Sequence, residues 1–171
     1  RKGSVGVTDA AMDTVRSGER LPAYALFGAA LAAAGLPIYI HAPKFYVDEY
    51  GVSLAALGAV LFGLRLFDVV QDPALGWLSQ RLRHRRSLAV ALGGLVMALA
   101  MLGLFAVAPP FNPILWFALT LALLFSGFSF LTISFYAQGV AAAGALGDRG
   151  HIRLASWRET GALLGVCAAA I

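Results

Sequence analysis

The stretch DVVQDPALGWLSQRLRHRR, residues 68–86, sets Asp68 and Asp72 one helical turn apart, follows them with Pro73 and ends in a dense basic cluster. Residues 52–64 before it carry no charge, and Arg65 stands three positions ahead of Asp68. On a helix, Gly58, Leu61, Arg65, Asp68, Asp72 and Gly76 follow steps of three and four and share one face. Three charges therefore form a stripe on an otherwise greasy segment.

Composition says what surrounds that segment. The 171 residues are 60% hydrophobic and 13% charged, against about 45–50% and about 25% in soluble domains, so the expected solvent is a bilayer. No Asp, Glu, Lys, Arg or His occurs in residues 87–147. As one helix that run would be roughly 90 Å long, three times a hydrocarbon core of about 30 Å, so it must fold back. The break falls at APPFNP, residues 108–113, where prolines remove donors and disfavour helix in the residue before them.

Four complete spans follow, at about 21–43, 51–80, 87–108 and 114–137, with residues 1–20 as a cytoplasmic tail. An incomplete fifth occupies 154–171, where the apolar run after Glu159 is too short to cross. Opening on Arg1 rather than methionine and stopping inside this helix, the sequence reads as a piece of a longer polypeptide whose C-terminal half is missing. The long 21–43 run followed by further spans argues against a cleaved signal peptide. Cys167 is the only cysteine, which excludes intramolecular disulfides and cysteine-based metal clusters.

With the N-terminus cytoplasmic, eleven of the thirteen Lys and Arg residues fall on inside segments. Only Lys44 faces outside and Arg65 lies within a span, and the positive-inside rule fixes that orientation. The protein is then multi-pass in the plasma (inner) membrane, with residues 81–86 and 147–159 inside and 44–51 and 109–113 outside. RLRHRR reads as a topological anchor rather than an RNA- or anionic-lipid-binding segment, because nothing aromatic interleaves it. No nucleic-acid partner is expected. His84 and His151 fall in inside loops as solvated residues, and His41 ends the first span beside Pro43 and Lys44, where a histidine needs no special function.

If hydrocarbon begins near Leu54, Arg65 lies roughly 17 Å deep, Asp68 roughly 21 Å and Asp72 about 27 Å, near the cytoplasmic edge. Three charges would cost roughly 8–10 kcal/mol if all were central, more than the roughly 3–7 kcal/mol returned by the eleven Leu, Val and Phe residues of 52–70. Discounting Asp72 for its shallow depth does not change the conclusion. The charged side must therefore face protein or a wet cavity. An Arg65–Asp68 ion pair would compensate one carboxylate and leave the other uncompensated, which a mobile cation would balance. Pro73 displaces the carbonyl of Val69 from helical bonding. Carboxylates, a freed carbonyl and the Gln71 amide suit a hard alkali cation, and the same carboxylates can take a proton instead. The sequence leaves Na⁺ and H⁺ open.

The pattern LRLFDVVQDPALGW, residues 64–77, resembles the second-helix signature of the glycoside–pentoside–hexuronide:cation symporters of the major facilitator superfamily. FYVDEYGVS at 45–53 is similar to that family's stretch after helix one, and RLASWR at 153–158 to the motif leading into helix five. The resemblance implies an all-α membrane protein, the N-terminal part of a major facilitator bundle cut within its fifth transmembrane helix. It makes Asp68, Gln71, Asp72 and Ser129 the cation-site candidates, with no metal beyond a Na⁺ at Asp68 and Asp72, and sets Arg158 and Tyr136 at the substrate. It also makes Gly76, Arg81 and Arg85 part of a gating loop, in which Gln80 stands for the usual aspartate and Arg83 for the usual glycine. In the melibiose/sodium branch, helices one and four each give a carboxylate to the sugar. Ala32 and Thr132 occupy those positions here, so a different substrate is expected.

The function expected on these grounds is cation-coupled import of a small, sugar-like or otherwise polar substrate by alternating access, with no cofactor and no covalent chemistry. A proton-driven exporter of the same fold is the first rival, and a membrane scaffold that uses the stripe only for helix packing is the second. An intramembrane hydrolase lacks a Ser/His pair or metal-ligand cluster in the spans. Gly161 and Gly165 add a small-xxx-small pair that would let helix five pack closely.

Overall fold

The computed structural model describes residues 21–145 and 150–171, and the elements in them are all helical: α1 (Leu21–Leu36), a π-helical turn (Pro37–His41), α2 (Ala42–Tyr50), α3 (Leu54–Arg81), a 3-10 turn (Leu82–Arg85), α4 (Arg86–Phe105), α5 (Pro113–Ala145) and α6 (Gly150–Ala169). Among the described residues, three helical runs are long and apolar enough to cross a bilayer, Leu21–Tyr50, Leu54–Phe105 and Pro113–Val140. The expected tail at 1–20 and part of the inside loop before helix five lie outside the described residues. The chain divides into two compact units, Arg1–Leu36 with Phe135–Ile171, and Pro37–Ser134.

Within Pro37–Ser134 the 52-residue run Leu54–Phe105 is two helices, α3 and α4, of opposite sense. Arg65 and Ser79 of α3 meet Phe125 and Ser134 of α5, so these helices run in the same sense. Gly93 and Gly103 of α4 face Phe130 and Thr120 of α5, which is the opposite sense. The chain therefore reverses at Leu82–Arg85, where Arg83, His84 and Arg85 disfavour hydrocarbon.

The register of α4 follows from its composition. Ala89, Gly93, Ala100 and Leu104 are buried, while Leu88, Leu92, Leu95, Leu99 and Leu102 recur at helical spacing and stay 52–58% exposed. Small residues toward a neighbouring helix and leucines away from it are the pattern of a helix whose outer face meets lipid. A Cβ on Gly127 would come within 3.1 Å of the Gly93 carbonyl oxygen, so glycine on both helices sets how near α4 and α5 lie.

The segment expected as an outside loop at 44–51 is instead mostly helix. Nothing in 42–50 breaks a helix once Pro43 occupies its first turn, and Tyr46, fully buried, holds α2 down with its ring 4.8 Å from that of Phe117. Gly51, at φ +62°, ends the helix in the left-handed conformation. Ser53 then starts α3, its hydroxyl accepting from the Ala56 amide at 3.2 Å. Asn112 does the same for α5, accepting from Ile114 N at 2.9 Å with Pro113 in the first helical position.

In the other unit α1 and α6 run side by side. A Cβ on Gly161 would lie 2.7 Å from Ala25 Cα, and one on Gly165 2.7 Å from Ala29 Cα. Glycine at both positions is what lets the backbones touch, as the small-xxx-small spacing anticipates. Helix α6 runs from Gly150, four residues before the expected span, with Gly150 confined to its first position and His151, Ile152 and Arg153 continuing it. His151 is consequently helical rather than part of a loop.

Candidate functional site

The charged stripe lies on α3, which continues unbroken through Pro73. Arg65 is held from several sides. It donates to the Tyr39 hydroxyl, its guanidinium lies 5.2 Å from the Tyr39 ring centroid and 5.4 Å from that of Phe125, and it donates to Asp68 Oδ2 at 3.4 Å. Two aromatic faces and a hydroxyl disperse its charge as well as the carboxylate does. The Arg65 side chain is 58% exposed and that of Asp68 only 13%.

The two aspartates are thus unequal. Asp68 is paired with Arg65, whereas Asp72 is exposed and has no ion-pair or hydrogen-bond partner among the described residues. Beside them the Gln71 amide is buried with neither its oxygen nor its nitrogen hydrogen-bonded. A buried amide without partners costs roughly 1–3 kcal/mol, so the site holds polar capacity that nothing in this stretch of chain uses. On α5, Ser129 falls between Phe125 and Ser134, as Asp68, Gln71 and Asp72 fall between Arg65 and Ser79 on α3. Its hydroxyl makes no hydrogen bond among the described residues. No group of three or more His, Cys, Asp or Glu gathers as a metal site among them either; a cation here would rest on two carboxylates and neutral oxygens.

Arg158 and Tyr136, expected at the substrate, meet in the unit that contains α1 and α6. The guanidinium lies 4.9 Å from the Tyr136 ring centroid, and its Nε donates to Glu159 Oε1 at 3.0 Å. Both line a cavity of about 120 Å³ with Tyr24, Phe135, His151 and Leu154. Tyr24 donates to the Gln138 carbonyl at 3.3 Å, and its ring stands 5.5 Å from that of Phe135. Gly28 makes room for this arrangement, since a Cβ there would come 3.2 Å from the Arg158 carbonyl oxygen. The cavity walls are aromatic and aliphatic with a cation at one side and no carboxylate among the lining residues, which suits a hydroxylated or anionic group.

Tyr24, Tyr39 and His151 were not singled out from sequence for these places. Thr132, where the melibiose/sodium branch carries a carboxylate, has a buried hydroxyl without a hydrogen bond. Of the residues expected in a gating loop, Arg81 stacks 4.6 Å over the Trp77 ring and Arg85 is exposed. A Cβ on Gly76 would meet nothing within 4 Å.

A family model described as MFS/sugar transport protein matches residues 22–171. An uncharacterized symporter of Synechocystis is 39% identical over 72 residues, which make up 41% of this chain and 13% of that protein. No solved structure matches the chain.

Proposed function

The chain belongs to the MFS/sugar transport protein family, and from that membership we propose that it is part of a cation-coupled symporter working by alternating access. Asp68, Gln71, Asp72 and Ser129 form the cation site, and Arg158 with Tyr136 contacts a small, polar, sugar-like substrate. The observation that carries this reading is the free Asp72 carboxylate beside the unpartnered Gln71 amide on a membrane-spanning helix. Asp72 lies near the cytoplasmic edge, where the insertion cost is smaller, but one turn from Asp68 its uncompensated charge still calls for a partner, and Na⁺ or H⁺ supplies one. The Synechocystis relative, itself called a symporter, supports the same reading.

Binding of the cation neutralises the stripe, which lowers the cost of the substrate-loaded conformation and lets the helices rock around a site near the midplane. Thr132 offers a hydroxyl where a carboxylate would grip a galactoside, so the substrate differs from melibiose in what it presents there. The protein lies in the plasma (inner) membrane with its N-terminus cytoplasmic, as the distribution of Lys and Arg favours.

The test is gradient-driven uptake in proteoliposomes holding the full-length protein, with radiolabelled sugars, uronides and lysolipids and an imposed Na⁺ or H⁺ gradient. Accumulation with an inward cation gradient is expected. Export driven by that gradient would favour the exporter, and movement of no solute under either ion would overturn the transport reading.

A further inference from the structure

The turn between α3 and α4 borders a cavity of about 490 Å³, open to the surface and lined by Trp77, Gln80, Arg81, Arg83, His84 and Arg86. None of these is acidic, and no ion pair involves Arg81, Arg83, Arg85 or Arg86 among the described residues. Four guanidinium groups in six positions repel one another. Their side chains are nevertheless arranged: Arg81 is stacked on Trp77 at 4.6 Å, and Arg83 donates from Nε to His84 Nε2 at 3.3 Å. The Nε of Arg86 is buried and donates to nothing. Arg86 also opens the 20-residue helix α4, whose N-terminus has no side-chain cap and no acidic residue in its first turn. Free donors and the positive end of the helix dipole point to an anion.

We infer that this cavity holds the phosphodiester headgroup of an anionic glycerophospholipid from the adjoining leaflet. A lipid is favoured over soluble phosphate because apolar side chains flank the basic lining. Trp77 is 58% exposed, Leu78 38% and Leu88 53%, so acyl chains meet apolar surface directly next to the arginines. The aromatic group missing from the linear basic cluster is supplied by Trp77, one helical turn before Arg81. A bound phosphate relieves the repulsion among the arginines and satisfies the Arg86 Nε, tying the start of α4 to the end of α3. The site is independent of cation coupling and stands or falls apart from it.

The experiment uses the full-length protein in mild detergent, with phosphatidylglycerol, phosphatidylcholine or inorganic phosphate added, and reads retained lipid by native mass spectrometry and thermal stability by unfolding. Wild type should retain phosphatidylglycerol in preference to phosphatidylcholine and be stabilised by it. The combined Arg81→Gln, Arg83→Gln and Arg86→Gln variant should bind it about tenfold or more weakly. Arg85→Gln, outside the cavity lining, should not. Should the triple variant fail to fold, Arg86→Lys removes the Nε donor while keeping the charge and should still weaken retention. Equal loss in Arg85→Gln would reduce the effect to general surface charge and overturn the site. So would the absence of any preference over phosphatidylcholine, or displacement of the lipid by inorganic phosphate at comparable concentration.

Discussion

Gly161 and Ala25 approach so closely that a Cβ on the glycine would overlap the Ala25 carbonyl and stand 2.7 Å from its Cα. The same relation recurs one turn on between Gly165 and Ala29. No side-chain rotation relieves an overlap with backbone, so Gly161→Ala must push α1 and α6 apart. The expected loss is at least the roughly 1–3 kcal/mol typical of overpacking, despite alanine's better helix propensity. Gly63→Ala, where nothing lies within 4 Å, should be neutral or slightly stabilising. Thermal unfolding of the two variants in the full-length protein checks this; equal stability would contradict the close approach.

Ser79 and Ser134 place their buried hydroxyls 3.0 Å apart across α3 and α5. Either single alanine variant should cost about 1–3 kcal/mol by leaving a buried hydroxyl unpaired, whereas the double variant should cost clearly less than the sum. A double-mutant cycle measured by unfolding decides it. Additive losses would mean that the two hydroxyls do not depend on each other.

Asp72→Asn should leave the protein inserted and folded, because removing a charge from a span lowers its insertion cost. Gradient-driven accumulation should fall to simple equilibration, and cation enhancement of substrate binding should disappear, since linkage is reciprocal. Asp68→Asn removes the Arg65 carboxylate but leaves Tyr39 and Phe125 around the guanidinium. Its destabilisation should therefore stay below the about 3–5 kcal/mol of a fully stranded buried charge. A stable Asp72→Asn protein that concentrates substrate with normal ion dependence would remove Asp72 from the cation site.

Arg158→Ala should weaken substrate binding about tenfold to a hundredfold, the range expected for losing a charged hydrogen bond of roughly 1.5–3 kcal/mol. Arg158→Lys keeps the charge but not the planar fork and should fall between. Equilibrium binding to the full-length protein measures both. Wild-type affinity in a folded Arg158→Ala variant would confine this arginine to its contacts with Tyr136 and Glu159.

What the sequence determined by itself was whatever depends on one dimension or on one helical turn. The uncharged run of 87–147 requires a chain that folds back in a bilayer, because its length exceeds any hydrocarbon core. The stripe through Arg65, Asp68 and Asp72 follows from steps of three and four, and the Gly161–Gly165 spacing marks a contact face before the partner helix is known. Tertiary structure alone decided which side chains meet across long separations. Tyr39 and Phe125 come to Arg65, and Ser134 to Ser79, from helices whose mutual rotation no local periodicity encodes. The inequality of Asp68 and Asp72 was already legible in the spacing, since Arg65 stands three residues before Asp68 on the same helix; tertiary packing adds the two rings that hold this arginine. In the same way, His151 joins Arg158 in a cavity because α6 starts early enough to carry both on one face. Spacing along a helix is fixed by its backbone hydrogen bonds, whereas the pairing of helices depends on which surfaces fit, and that is settled only when all of them are present.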